Sequence, residues 1–225
     1  MRRVPEPDDL MADPAQARAY AEADFSESNG LFVDLFRRLQ PAAGFSGRAL
    51  DLGCGPGDIP IRLARFFPAA RIDAVDGAEA MLDLARGAVA GDADLGSRIR
   101  WICARIPSAE ATSGRPYDAV LSNSLLHHMA DPLDLWRAVR EAGRPGAAVL
   151  VMDLARPADA DGVDRVLAAH AAGAPEVLWN DFRNSLFAAY TVEEVRDQLA
   201  AAGIAGMSVE MVSDRHLAVW GFLKE

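Results

Sequence analysis

The sequence predicts an α/β fold, a mixed and mainly parallel sheet with helices on both faces, and three observations carry that expectation. From residue 48 onward, short apolar runs of β-forming residues alternate with amphipathic helical stretches, the pattern of strands joined by crossover helices. A glycine-rich bend follows the first run. Only Ser213, Asp214 and Arg215 separate the last two runs, a connection short enough for a hairpin, so those strands pair antiparallel.

Ahead of the sheet, residues 13–41 read as two helices, PAQARAYAEADF and NGLFVDLFRRL, joined around Ser26, Glu27 and Ser28. The strands are RALDL (48–52), RIDAV (71–75), IRWIC (99–103), YDAVLS (117–122) and AAVLVMDL (147–154), with helical text at 58–67, 78–89 and 132–143. Residues 156–190 break the alternation with two more helical stretches, GVDRVLAAHAAG and APEVLWNDFRNSLFAAY. A connection this long at the edge of a compact domain is commonly a lid or binding element. Ligands of open α/β sheets bind beyond the carboxyl ends of the strands, where this insertion emerges. A helix then opens at Thr191, which with Glu194 forms a capping box. The runs MSVEMV (207–212) and HLAVWGF (216–222) close the chain.

With 225 residues, 51% hydrophobic and 25% charged, the chain is expected to form one domain, 1–225, with 13–41 as a helical cap and 156–190 as a lid. Its net charge of −10 disfavours a nucleic-acid partner, because phosphate-backbone binding depends on cations displacing counterions. The two cysteines, Cys54 and Cys103, are too few for a secreted disulfide scaffold and lack zinc-site spacing. No ligand cluster in the sequence suggests a metal. Acids and prolines interrupt the N-terminal text and no apolar run approaches a membrane span, so a cytoplasmic protein, monomeric or homodimeric, is expected.

The chemistry concentrates in Asp51-Leu52-Gly53-Cys54-Gly55-Pro56-Gly57-Asp58, where a strand ends and a helix begins. Alternating glycines let the backbone turn sharply and approach a ligand closely. A dinucleotide fingerprint counted from Gly53 and Gly55 needs glycine at the position held by Asp58. That carboxylate occupies the helix N-terminus where a pyrophosphate would sit, so a phosphate-free ligand is preferred and a nicotinamide dehydrogenase is the weakest alternative. Asp76 ends the second strand 19 residues beyond Gly57, near the offset at which an acid meets ribose hydroxyls. It can equally serve as a helix N-cap.

Asp51–Gly57, Asp76 opening a helix through Met81, and Ser122-Asn123-Ser124-Leu125-Leu126-His127-His128 after the fourth strand together resemble the class I S-adenosylmethionine-dependent methyltransferases of the small-molecule type, over roughly 45–155. The resemblance implies a Rossmann-like seven-stranded sheet of order 3-2-1-4-5-7-6, S-adenosyl-L-methionine as cofactor and a small-molecule acceptor. It implies that Asp51, Gly53, Cys54, Gly55 and Gly57 form the cofactor loop and that Asp76 holds the ribose. Gly77, Ala78 and Met81 then border the adenine, and Asn123 and Ser124 lie by the methionine portion. Family members often carry an acid after the third strand to accept the adenine amino group; here stand Ala104, Arg105 and Ile106. Arginine only donates, so backbone atoms at 104–106 would read the base. Cys54 and Cys103 end strands that are not neighbours in that order, so buried or half-buried free thiols are expected.

Methyl transfer by direct displacement needs alignment and exclusion of water more than catalytic side chains. A hydroxyl acceptor needs a base, and His128 or His127 is a candidate, with His128 ahead; packing on the cofactor is the plainer role. His170 is expected on the surface and His216 in a strand. Acceptor contacts are expected from Tyr20, Asp24, Phe25, Ser28 and Asn29 in the cap, and from Trp179, Asn180, Phe182, Arg183, Asn184, Phe187 and Tyr190 in the insertion. The alternatives are a carboxy-S-adenosylmethionine-synthase-like enzyme, for which Arg183 is the one candidate cation, and a non-catalytic S-adenosylmethionine-binding protein.

Overall fold

The computed structural model describes residues 1–6, 13–40 and 44–224. Residue 41 of the expected cap lies outside the described residues. The elements are α1 (Pro14–Glu22), α2 (Ser26–Leu39), β1 (Arg48–Leu52), α3 (Asp58–Phe66), β2 (Arg71–Asp76), α4 (Glu79–Val89), α5 (Ala93–Arg98) and β3 (Ile99–Cys103). They continue with β4 (Tyr117–Asn123), a 3-10 turn (Leu126–His128), α6 (Pro132–Ala142), β5 (Gly143–Leu154), α7 (Ala160–His170), α8 (Glu176–Ala188), α9 (Val192–Ala201), β6 (Ser208–Met211) and β7 (His216–Phe222).

The strands form one sheet of order β3-β2-β1-β4-β5-β7-β6, as the resemblance implies. β3, β2, β1, β4 and β5 run parallel, and β7 pairs antiparallel with both β5 and β6. Both faces are covered, so the central strands are apolar almost throughout. Leu50, Leu52, Val120 and Val149 pack with Trp136 of α6 and Leu199 of α9 on one face. Ala49, Ile72, Leu121 and Leu150 pack with Phe32 of α2, Leu63 of α3 and Leu82 of α4 on the other. The Trp136 indole, buried in the first layer, donates to Gln198 Oε1 at 2.9 Å.

Three boundaries differ from expectation, each through a local polar contact. α5 is an additional helix, capped by Asp92, whose carboxylate accepts from Leu95 N. Ser26, Glu27 and Ser28 form the first turn of α2 and do not link two helices; the joint lies at Ala23–Phe25, where Asp24 accepts from Ser26 N. β5 begins at Gly143, upstream of 147, because the chain pairs with Tyr117 before a register shift leads into the regular ladder. The capping box at Thr191 forms as expected.

Residues 1–6 lie as a strap along the end of α8 and the 3-10 turn. Val4 N donates to Phe187 O at 3.0 Å, and the Arg3 guanidinium donates to Ala188 O and, at 2.9 Å, to His127 O. Its cationic carbon stands 4.2 Å from the centroid of the Tyr190 ring, a cation–π contact. Among the described residues no helix is long and apolar enough to cross a membrane.

Candidate functional site

A cavity of about 360 Å³ opens at the carboxyl ends of β1, β2 and β4. Its floor is the bend after β1. Gly53, Gly55 and Gly57 all have positive φ, of 76°, 53° and 89°, yet their roles differ. A Cβ on Gly55 meets nothing within 4 Å, so this glycine leaves open space in the cavity wall. A Cβ on Gly57 would stand 2.8 Å from the Trp101 ring and 2.9 Å from Ala85, and Gly57 does not line the cavity. Gly57, expected as a cofactor contact, is therefore a packing glycine under α3, outside the cavity lining. Gly53 combines both functions, lining the cavity while a Cβ there would strike Leu125 at 2.9 Å.

The bend is held to the end of β2. Val75 O accepts from Gly53 N and Cys54 N, and Asp76 Oδ2 accepts from Gly55 N at 2.8 Å. The other Asp76 oxygen accepts from Ala78 N at 2.8 Å. Asp76 thus organises the turn into α4 without being its N-cap, a position occupied by Ala78. Burial raises the Asp76 carboxyl, against the lowering effect of these backbone donors. Ala78, expected to border the adenine, is buried against Ala17 and Met81 and does not line the cavity. Gly77, Met81, Cys54, Ala104, Arg105, Ile106, Asn123 and Ser124 do line it. Ser124 takes φ 55°, an uncommon conformation for a residue with a side chain, where the chain leaves β4 at the cavity.

The most telling group is Asp51. It is 1% exposed, lines the cavity, and neither carboxylate oxygen has a hydrogen-bond partner among the described residues. Asn123 Oδ1, also on the lining, is likewise unpartnered. Buried polar atoms are almost always hydrogen-bonded, so these acceptors call for a donor from outside the chain. Burial, and then the neighbouring Asp76 charge, push the Asp51 carboxyl up to about 7. A cationic group placed there would restore its charged form.

The cap forms the opposite wall. Tyr20, Asp24, Phe25, Ser26 and Asn29 line the cavity, with the Tyr20 and Phe25 rings 4.7 Å apart. The Asn29 amide donates to Asp58 Oδ2 at 2.7 Å and its carbonyl accepts from Asn123 Nδ2 at 3.3 Å, joining α2 to α3 and β4. Ser28 lies outside the lining. Burial, and then the charges of Asp76 and Asp153, push the Tyr20 phenol up to about 12, so it remains a donor at neutral pH.

None of the insertion residues reaches the cavity. Arg183 stacks over Phe187 at 4.8 Å, Tyr190 receives Arg3, and Trp179, Phe182 and Phe187 pack with α7. The mixed aromatic and polar face of α8 seats α7 and the strap, so Trp179, Arg183, Phe187 and Tyr190, expected as acceptor contacts, stand in packing contacts outside the cavity lining.

At the β4 end, His128 lines the cavity and His127, 3% exposed, lies behind it. His127 Nδ1 is 2.5 Å from Asp153 Oδ1 on β5, and its backbone N donates to Asp153 Oδ2 at 3.2 Å. Burial opposes the charge on both partners, but their mutual attraction outweighs it, raising the imidazole and lowering the carboxyl. His128 Nδ1 is 2.5 Å from Glu6 Oε2 of the strap, whose other oxygen accepts from Ser185 Oγ at 2.7 Å. Glu6 and Asp153 carry no local motif, and sequence reasoning missed both. His170 is exposed and His216 is buried in β7, as expected. Cys54 and Cys103 are free thiols; Cys54 is buried, but Cys103, at the end of edge strand β3, is exposed.

The chain is similar to known proteins in part of its sequence and in its fold. Residues 49–146 match the family model described as "Methyltransferase domain". Trans-aconitate 2-methyltransferase of Streptomyces avermitilis is 32% identical over 118 residues, 52% of this chain and 43% of that protein. Ubiquinone biosynthesis O-methyltransferase of Ruegeria pomeroyi is 36% identical over 107 residues, 48% of this chain and 40% of that protein. The chain thus spans less than half the length of these two relatives. Among solved structures, the plantazolicin methyltransferase BpumL in complex with SAH superposes with a TM-score of 0.75 at 16% identity, covering 96% of this chain and 93% of that one, a likeness of fold.

Proposed function

We infer, for a chain whose residues 49–146 match a methyltransferase-domain model, an S-adenosylmethionine-dependent methyltransferase acting on a small-molecule acceptor. One observation carries the reading: the unpartnered Asp51 carboxylate, buried in the floor of a cavity that also presents the open face of Gly55 and the Asp76 carboxylate.

These residues fit S-adenosylmethionine. Its ammonium suits the orphaned oxygens of Asp51 and Asn123, which only accept. Each Asp76 oxygen accepts one backbone N–H and keeps a second lone pair for a ribose hydroxyl. Met81, Gly77 and the 104–106 backbone border the place left for the base. The carboxylate of Asp58, bonded to Asn29 and Arg62, occupies the helix N-terminus that a pyrophosphate ligand would need. When bound, the cofactor supplies a methyl carbon activated by positive sulfur.

The chain's own work is then to bind, align and exclude water. Tyr20, Phe25 and Asn29 close the acceptor side as a cap. His128 stands at the wall where an acceptor arrives, oriented by Glu6, while His127 and Asp153 buttress it from behind. An acceptor offering oxygen is favoured by this pairing of imidazole and carboxylate, and one matching relative is by name an O-methyltransferase. The net charge of −10 favours a small acceptor over nucleic acid. The carboxy-S-adenosylmethionine-synthase-like alternative loses its support, because Arg183 lies over Phe187 and away from the cavity.

The test is transfer of isotopically labelled methyl from S-adenosylmethionine to a panel of hydroxy and carboxylic acids, with S-adenosylhomocysteine release measured in parallel. Label in any member supports the reading. Tight cofactor binding without turnover across a broad panel would favour a non-catalytic binding protein.

A further inference from the structure

We propose that Glu6, His127 and His128 form a binding site for a divalent transition-metal ion, of the kind taken by nitrogen and oxygen ligands, on the acceptor wall of the cavity. One ligand atom from each residue lies within 4.8 Å of the other two. Tetrahedral ligand bonds of about 2.0–2.2 Å put donors about 3.3–3.6 Å apart, so binding requires the wider pairs to close and the His128–Glu6 hydrogen bond, 2.5 Å long, to open.

The surroundings are those of a built site. Metal-bound histidines almost always pass their second ring nitrogen to a carboxylate or carbonyl, which fixes the tautomer. Asp153, 1% exposed, does this for His127: it accepts from Nδ1–H, and in the neutral imidazole, which metal binding selects by displacing the Nε2 proton, the Nε2 lone pair is the ligand. Ser185 does the equivalent for Glu6 by donating to Oε1 at 2.7 Å. Arg3 donates to the His127 carbonyl at 2.9 Å. Glu6 and Asp153 together supply two carboxylate charges, equal and opposite to those of a divalent ion; with Arg3 counted, the loaded cluster carries one net positive charge. Two imidazoles and one carboxylate are three protein ligands, the number a catalytic zinc-type site uses while keeping a position open. His128 lines the cavity, so the open position faces the acceptor.

The ion's role rests on the methyltransferase reading: it would hold an acceptor oxygen at the wall where the nucleophile must arrive, with the histidines acting as ligands and not as bases. Its existence does not depend on that reading. The site also gives the strap a function, since Glu6 comes from a segment far from the other ligands in sequence and fixed in place by Arg3 and Val4.

The experiment uses the full-length protein stripped with a chelator, titrated with Co²⁺ and followed by its visible absorption, and with Zn²⁺ by calorimetry, alongside S-adenosylhomocysteine on the same samples. One ion per chain is expected, with Co²⁺ bands of a low-coordinate nitrogen and oxygen site. Glu6→Gln, on the strap and outside the core, should weaken binding at least about tenfold, and Asp153→Asn about 10–100-fold, the range for partners of metal ligands. Circular dichroism and melting confirm folding of each variant. No stoichiometric binding, or binding unchanged in Glu6→Gln and in His128→Gln, overturns the site. Metal binding without S-adenosylhomocysteine binding would sink the cofactor reading and leave the ion; the reverse would sink the ion alone.

Discussion

Gly55 N donates to Asp76 Oδ2 at 2.8 Å, so the open glycine of the first bend and the acid ending the second strand form one hydrogen-bonded unit. The carboxylate proposed to hold the ribose also fixes the loop that the rest of the ligand touches. Replacing Asp76 with alanine therefore removes a ligand contact and a loop anchor together. S-adenosylhomocysteine binding should weaken by roughly 1–3 kcal/mol or more, since a charged acceptor and its backbone partners are lost at once. Calorimetry on the folded variant measures this, and an unchanged affinity would reduce Asp76 to a structural turn residue.

Two glycines separate ligand space from packing space. Gly55→Val places its side chain in the open cavity and should abolish binding; the φ of 53° adds a modest folding penalty of about 1–2 kcal/mol. Gly57→Ala drives a methyl against Trp101 and Ala85, so its main effect should be a lower melting temperature. A Gly57 variant with normal stability and lost affinity would restore that residue to the binding site.

Asp51 makes binding depend on pH. With its folded carboxyl at about 7, about one-tenth is ionised at pH 6 and about nine-tenths at pH 8. Affinity for a ligand whose ammonium pairs with the ionised form should rise about tenfold over that interval. The linkage runs the other way for the unliganded fold. A folded pKa above the unfolded value of about 3.9 means that the folded chain holds more protons between those values. Its contribution to stability is full below about pH 4 and is lost as pH rises through about 7. Asp51→Asn should flatten both dependences, read by calorimetry and by melting across pH.

The insertion residues lie outside the cavity lining. Arg183→Ala and Trp179→Ala should leave KM for a methyl acceptor within about twofold, whereas Phe25→Ala, on the cavity wall, should raise it. Steady-state kinetics with the first acceptor identified distinguishes the two groups. A strong KM effect at Arg183 would return α8 to the acceptor pocket.

Sequence reading reached furthest where a local pattern has one physical meaning. Alternating apolar runs located all seven strands, and the glycines after Asp51 located the floor of the cavity. It failed where composition serves two purposes: rings and polar heads on α8 read as a pocket, although the same face seats α7 and the strap. Ala78 and Gly57 belong to the right motif but turn inward, which spacing does not show. Glu6 and Asp153 were invisible because each depends on long-range assembly; Glu6 meets His128 only when the strap crosses α8 and the turn after β4. The helix α5, one and a half turns held by its Asp92 cap, is too short to display a period.

The most direct measurement is calorimetric titration of the wild-type chain with S-adenosylhomocysteine, run beside NAD⁺ as a pyrophosphate control. Saturation by one S-adenosylhomocysteine per chain, with no heat from NAD⁺ and with the S-adenosylhomocysteine signal lost in Gly55→Val, is the expected result. Saturation by NAD⁺, or no uptake of S-adenosylhomocysteine by folded protein, would contradict the assignment of the cavity to the methyl donor.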